Sequence, residues 1–278
     1  MKIPKRLESL FDEGLVDEVV RQLMSGKEAT VYMVRSRGEI RCAKVYKEAH
    51  QRSFRQSVLY QEGRKVRGSR QARAMGKRTK FGRKEQESVW QSAEVAALYK
   101  LADAGVRVPK PYGFFDGVLI MEMVADEYGD AAPRLNDLAF EPEDAVVYHD
   151  FLINQIVRML CAGLVHGDLS EFNVLVGEEG PVIIDLPQAV DAAANHNARM
   201  MLERDVANMT AYFAQFAPEL HGTQYGKEIW GLFDRGELHP AVVLTGRVAE
   251  ETASADVDGL MQEIEAVRQE YLERMQYE

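Results

Sequence analysis

The sequence predicts an α+β fold of two lobes, a small mainly β N-terminal lobe and a mainly helical C-terminal lobe. Three observations predict it. Before residue 125 there are two pairs of short β-like runs, 29–34 with 39–46 and 112–115 with 118–124, the second joined by the hairpin dipeptide Asp116-Gly117. After the connector Gly129–Pro133, apolar residues recur at helical spacing. Within that second half three polar residues, Asp168, Asn173 and Asp185, interrupt apolar runs. At 278 residues and 46% hydrophobic content the chain can bury a sizeable core.

The elements follow in order. Leu7, Leu10, Phe11, Val16, Val19, Val20 and Leu23 have helical spacing, with Gly14 able to split the run, so residues 1–24 are expected to be an N-terminal helical segment. The polar turn Ser25-Gly26-Lys27-Glu28 then separates helix from strand and opens the N-lobe, 25–124. The strands 29–34 and 39–46 join through Ser36-Arg37-Gly38. A glycine-containing segment without apolar periodicity, about 61–84, reads as a mobile loop. Residues 88–103 return to a helix, and Val108-Pro-Lys-Pro111 ends that region. In the C-lobe, 125–278, Leu152, Ile156, Met159, Leu160 and Gly163 share a helix face that leads into His166-Gly167-Asp168. Strands 174–176 and 182–185 turn through Gly177-Glu-Glu-Gly180, and helices are expected over 197–217 and 255–276. The last carries a broad apolar stripe suited to packing on its own chain.

Charge and cysteine content exclude several classes. The net charge is −10, yet residues 64–84 hold ten Lys/Arg and no Asp/Glu. That is an acidic protein with one basic loop, not a generally basic nucleic-acid binder. Cys42 and Cys161 have no metal-ligand neighbours and read as small core residues of a reducing compartment. No apolar run follows the basic N-terminus and charges interrupt every long apolar segment, so neither a signal peptide nor a membrane span is expected. The expected location is cytoplasmic.

The chemistry lies in the spacing of the polar residues. Asp168 and Asn173 are five apart, and Asp185 follows twelve later at the end of Val182-Ile-Ile-Asp185. Phosphoryl transfer needs one carboxylate for the attacking hydroxyl, and an amide plus a second carboxylate to hold Mg²⁺ against nucleotide phosphates. Lys44, in Cys42-Ala-Lys-Val45, is either a solvent-facing strand lysine or a phosphate-pairing one, and the three downstream residues favour the second. A buried lysine needs a partner, and Glu94, followed by Val-Ala-Ala-Leu, is the candidate over Glu85 and Glu87. Ser25, Gly26 and Lys27 could approach phosphate, although one glycine is equally an ordinary turn. His166 is expected to organise its loop rather than act as a base. Met121-Glu122-Met123 ends a strand where backbone groups would meet adenine, and would otherwise be core.

Taken together these residues resemble the RIO-type atypical protein kinases, nearest the subgroup with bacterial and archaeal members. The resemblance rests on Ser25-Gly-Lys-Glu-Ala29, Ala43-Lys-Val-Tyr46, Ala104-Gly-Val-Arg-Val-Pro109, Val118-Leu-Ile-Met-Glu-Met123, Leu164-Val-His-Gly-Asp-Leu-Ser-Glu-Phe-Asn173 and Ile184-Asp-Leu-Pro-Gln-Ala-Val190, across about 15–215. It implies a protein-kinase-like fold trimmed of the activation loop and peptide-docking helices. It also implies ATP and Mg²⁺ (or Mn²⁺) as cofactors and an unidentified protein substrate. By the same resemblance Lys44 holds phosphates, Glu94 orients Lys44, Asp168 is the base, and Asn173 and Asp185 bind metal. Ser25, Gly26 and Lys27 line the phosphate loop, and the backbone of Glu122 and Met123 holds adenine. In some relatives the residue matching Asp185 accepts a phosphoryl group. The chain departs from ordinary kinases in reading Asp185-Leu-Pro where they have Asp-Phe-Gly. Too few residues precede Ser25 for the winged-helix extension of one RIO subgroup.

Three functions compete at this stage. The leading one is an ATP/Mg²⁺-dependent Ser/Thr kinase that phosphorylates itself, with Ser53, Ser57, Ser69 and Thr79 as candidate sites. The second is a small-molecule kinase of the aminoglycoside or choline kinase type, which shares His-Gly-Asp but usually lacks Ser-Glu-Phe before Asn. The third is an ATPase-type switch factor on RNA or ribosomal particles, contacting phosphates through the basic loop 64–84. Phe81 is that loop's only aromatic, which gives base stacking little support.

Overall fold

A computed structural model describes residues 4–47 and 80–248, with backbone only for 80–90 and 92. Ser53, Ser57, Ser69, Thr79, most of the basic loop and the expected helix 255–276 lie outside the described residues. The described residues up to Gly246 form one compact unit.

Helix α1, Lys5–Asp12, comes first and buries Leu7 and Leu10. The expected continuation of helix to residue 24 is corrected: Gly14 takes φ +66, and Glu18–Ser25 form strand β1. Val19 and Leu23 are the inward positions of β1. Four residues apart, they satisfy a strand's period of two as well as a helix's 3.6, so spacing alone could not separate the two. Two bulges lie along this edge strand. The turn Ser25–Glu28 therefore joins strand to strand rather than helix to strand.

Strands β2 (Ala29–Ser36) and β3 (Glu39–Tyr46) form the expected hairpin, with Arg37 and Gly38 both at positive φ in its turn. Strands β4 (Pro111–Phe115) and β5 (Val118–Glu122) form the second, through Asp116-Gly117, also at positive φ. The antiparallel sheet has the order β1-β2-β3-β5-β4, placing Lys44 opposite Leu119 and Val31. One sheet face packs on α1 and the segment after it: Leu7, Leu10 and Val16 cluster with Val34, Ala43, Val45, Val118 and Ile120. Helix α2, Lys80–Asp103, starts earlier than residue 88 and takes in the last residues of the expected basic loop.

The following half is mainly helical. Helix α3 (Pro142–Cys161) starts on a proline, whose missing N–H costs no intrahelical bond there, and has Glu143 and Asp144 in its first turn, where the helix dipole favours them. Its buried face includes Leu152, Ile156, Met159 and Leu160. A short strand β6 (Leu164–Val165) pairs with β9 (Val190–Asp191), and β7 (Val174–Gly177) with β8 (Gly180–Ile183). Helix α4 (Ala198–Phe213) stops short of residue 217, and helix α5 (Tyr225–Asp234) was not anticipated. Of the cysteines, Cys42 is buried but Cys161 is exposed, which corrects its reading as a core residue. No described helix is long and apolar enough to cross a membrane.

Candidate functional site

Lys44 lies near the centre of the sheet, where its stem is buried and its ammonium needs counter-charge. Glu94 of α2 supplies it: Lys44 Nζ is 2.5 Å from Glu94 Oε1, with Glu94 only 6% exposed. The other Glu94 oxygen accepts the Tyr46 hydroxyl at 2.7 Å. Lys44 Nζ also donates to Asp185 Oδ1 at 3.0 Å. Burial opposes the ammonium charge, but Glu94 and Asp185 outweigh it and hold Lys44 well above its ordinary range. The Lys44 charge in turn holds the Asp185 carboxyl below its own range. Glu94 and Asp185, 91 residues apart, thus meet at the Lys44 ammonium, with Tyr46 behind Glu94.

Asp185 follows β8 and sits at φ +66, a left-handed conformation that a non-glycine residue adopts at a cost. The chain then closes a turn in which Ala189 N–H donates to Leu186 C=O, with Leu186 buried as its anchor. Gln188, carried back by this turn, donates through Nε2 to Asp168 Oδ2 at 2.9 Å.

The Asp168 loop is held by its backbone. Asp168 N–H donates to His166 Nδ1 at 3.3 Å, which leaves the proton on Nε2 to donate to Ile184 C=O at 3.1 Å. His166 is buried and occupied on both ring nitrogens, the organising role expected of it. Asn173 Nδ2 donates to Asp168 C=O at 2.8 Å, which leaves its amide oxygen as an acceptor. Beneath the loop, Asp205 of α4 accepts the N–H of Gly167 at 2.7 Å and of Leu169 at 3.1 Å, one on each oxygen. Asn208 donates to Leu169 C=O, and Arg204 to Gly167 C=O. Desolvation pushes the Asp205 carboxyl up to about 6, and desolvation with the Asp185 charge also lifts Asp168 above its ordinary range.

Elsewhere the expected site is only partly assembled. Lys47, which was not singled out, donates to Gly26 C=O at 2.5 Å and to Ser25 Oγ at 3.3 Å, so the turn is stitched by the chain itself. Gly26 lies outside the left-handed region, and a Cβ there would meet nothing closer than 3.6 Å, so the fold does not demand glycine. Lys27 is exposed. The Glu122 N–H is spent on Lys110 C=O, which corrects its availability to a ligand, and its carboxylate binds Arg107. Met123 packs its sulfur against the Cys42 thiol at 3.5 Å.

Sequence reasoning did not single out Tyr46, Gln188, Arg107, Arg204, Asp205 or Asn208 for the site. A signal existed for Asp205: Ala198, Met201, Leu202, Asp205, Val206 and Met209 form one apolar helix stripe with a single acid in it. Gln188 stands in the stretch Ile184–Val190 that carries the resemblance, but nothing in that stretch tells that its side chain meets Asp168, a contact that depends on the turn after Asp185.

The arrangement offers a fixed cation, a solvent-open carboxylate on each of two loops and an amide oxygen between them. Comparison with known proteins bears on what such a set does. Residues 30–225 match the family model described as the RIO domain. The RIO-type serine/threonine-protein kinase Rio1 of Haloferax volcanii is 37% identical over 149 residues, which are 53% of this chain and 49% of that protein. Its namesake from Thermoplasma acidophilum is 37% identical over 131 residues, covering 47% and 67%. The human serine/threonine-protein kinase RIO1 is 30% identical over 206 residues, covering 73% and 34%. The matched part is thus about half the length of the Haloferax protein. A crystal structure of the Rio2 kinase–ADP/Mg²⁺–phosphoaspartate complex from Chaetomium thermophilum superposes with a TM-score of 0.56 at 23% identity, covering 99% of this chain and 81% of that one. That likeness places the fold among the kinases.

Proposed function

This chain belongs to the RIO domain family, and from that premise we propose that it is an ATP- and Mg²⁺-dependent atypical serine/threonine protein kinase, acting in the cytoplasm on an unidentified protein and on itself. The observation that carries the reading is Lys44 Nζ held between Glu94 at 2.5 Å and Asp185 at 3.0 Å. A lysine so fixed presents a point charge to nucleotide phosphates, and the acid behind it keeps it in place. Tyr46 keeps Glu94 in place in turn.

The donor set suits Mg²⁺. Asp185 brings a carboxylate that is half open to solvent and Asn173 an amide oxygen, both hard ligands. Asp185 and Asn173 would hold such a cation, with phosphate oxygens and water as its further ligands. Mn²⁺ would suit the same donors. When bound, the cation neutralises charge on the phosphates. The chain's own part is then to orient. Lys44 holds phosphate, and Asp168 accepts the proton of a Ser or Thr hydroxyl at its carboxylate. The backbone around Glu122 C=O and Met123 would take adenine, and the turn Ser25–Lys27 would cover the phosphates. The basic loop 64–84 remains, in this reading, an RNA- or ribosome-facing segment or the site of self-phosphorylation.

Incubation with [γ-³²P]ATP and Mg²⁺ tests the proposal, comparing wild type with Asp168→Ala and Asp185→Asn. Acid-stable label on protein, lost in both variants, is the expected result. Free phosphate without stable label would replace the kinase by an ATPase switch. Transfer only to an amino-alcohol would support the small-molecule kinase.

A further inference from the structure

The Asp168 carboxylate makes one side-chain hydrogen bond among the described residues, and Gln188 provides it. Gln188 Nε2 lies 2.9 Å from Asp168 Oδ2. The Asn173 amide, five residues along the same loop, bonds the Asp168 backbone carbonyl and leaves the carboxylate alone. Gln188 reaches Asp168 because of local backbone geometry. Asp185 at φ +66 and the turn closed from Ala189 to Leu186 fold residues 185–189 back on the His166–Asp168 loop. Leu186 is 3% exposed and Ala189 8%, so the turn is anchored on both sides of Gln188.

We infer that Gln188 is a positioning residue for phosphoryl transfer, holding Asp168 Oδ2 so that Oδ1 is presented to the incoming hydroxyl. This rests on the kinase reading above. A carboxylate turns freely about its last bond, and one fixed donor on one oxygen holds its plane and so the direction in which the other oxygen points. The neutral amide does so without cancelling the charge that accepts the proton, which a lysine or arginine there would do. The turn that carries Gln188 begins at Asp185, the residue that meets Lys44 and would hold the metal. One short segment therefore sets both the metal-side carboxylate and the orientation of the base. Nothing in this role requires Gln188 to touch nucleotide.

The role separates turnover from nucleotide affinity. Label transfer from [γ-³²P]ATP to the protein itself and to dephosphorylated casein would be measured at varied ATP for wild type, Gln188→Met and Gln188→Ala. Methionine keeps the length and bulk of glutamine but cannot donate. Misplacing a reacting group costs on the order of 10- to 100-fold in rate. Both variants are expected to lose about that much in kcat, with KM for ATP within about twofold of wild type and an unchanged melting temperature. Gln188→Met retaining wild-type kcat would overturn the inference while leaving the kinase reading intact, since filling space would then suffice. A rise in KM without loss of kcat would also overturn it, by making Gln188 a nucleotide-binding residue. A wild type that transfers no label to either acceptor would overturn the kinase reading and this inference with it.

Discussion

Arg107 grips Glu122 with both arms of its guanidinium, Nη1 to Oε2 at 2.9 Å and Nη2 to Oε1 at 2.7 Å. Glu122 is the last residue of β5, and Arg107 is tied by its own backbone to the helical half. Its N–H donates to Gln155 of α3 at 2.8 Å, and its C=O accepts Ile183 N–H of β8 at 2.9 Å. The pair thus fastens the end of the sheet to the strand that leads into Asp185. Burial opposes the Glu122 charge, but the hydrogen bonds from Arg107 and the Lys110 N–H outweigh it and keep the carboxyl below its ordinary range.

Glu122→Gln and Arg107→Lys each break the two-armed geometry. Each is expected to cost about 1–3 kcal/mol, since both side chains are three-quarters buried and the partner left behind loses a charged hydrogen bond. Urea denaturation checks this. The double variant should cost less than the sum of the two, because the second change removes a bond already broken.

Tyr46→Phe tests the support behind the lysine. It removes the hydroxyl that donates to Glu94 Oε2 and changes nothing else in the core contacts of the ring. A stability loss of about 1–2 kcal/mol is expected from a hydrogen bond to a charged group. Glu94→Gln should cost at least as much, since both Glu94 oxygens accept hydrogen bonds and an amide leaves an NH2 facing either Lys44 or Tyr46. It should lower label transfer by about tenfold or more, as the lysine is no longer aimed. Equal activity of Glu94→Gln and wild type would remove Glu94 from the machinery.

Legibility in the sequence followed locality. Asp168, Asn173 and Asp185 were legible because one short stretch of loop and strand carries them, and Lys44 because a strand lysine among apolar neighbours stands out. Glu94 was legible from the apolar residues after it, which put it on the inward face of its helix. The strand Glu18–Ser25 was not, because Val19 and Leu23 fit two periods at once. Asp205 lies 38 residues from the Gly167 N–H it accepts, and only the odd acid in an apolar stripe hints at it. The Gln188 contact depends on a positive φ at Asp185, which residue type does not announce. Arg107 and Glu122 gave no periodic signal, since a loop residue and a strand end meet through tertiary packing alone.

Asp205 gives stability a pH dependence of opposite sign to that of a salt-bridged carboxylate. Its folded value is about 6 against 3.8 for the free group, so between those values the folded state binds the extra proton. Stability from this group is full only below about pH 3.8 and is lost as pH rises through about 6, by on the order of 3 kcal/mol. Asp205→Asn abolishes this slope while leaving one of the Gly167 and Leu169 N–H groups without its acceptor, at about 1–3 kcal/mol. In urea melts at pH 4, 5, 6 and 7, the wild type's advantage over the variant should shrink as pH rises. A constant difference across that range would show that Asp205 ionises as an ordinary carboxyl.

Nucleotide and metal removal can be read without any acceptor protein. A ligand that binds only the folded chain stabilises it by about 2.7 kcal/mol at one hundred times its dissociation constant. Adding ATP with Mg²⁺ should therefore raise the melting temperature by several degrees, and EDTA should remove most of the gain. Two variants separate the cation from the phosphates. Lys44→Ala loses the fixed charge meant for phosphate, so it should lose the gain with and without metal, beyond whatever its own core costs. Asp185→Asn keeps Lys44 paired to Glu94 at 2.5 Å but loses one charged oxygen for the cation. Its melting temperature should rise with ATP by the same small amount whether Mg²⁺ or EDTA is present. If Asp185→Asn instead kept the full Mg²⁺-dependent gain, Asp185 would be a partner of Lys44 only, and the cation would have to be held by other oxygens of the chain.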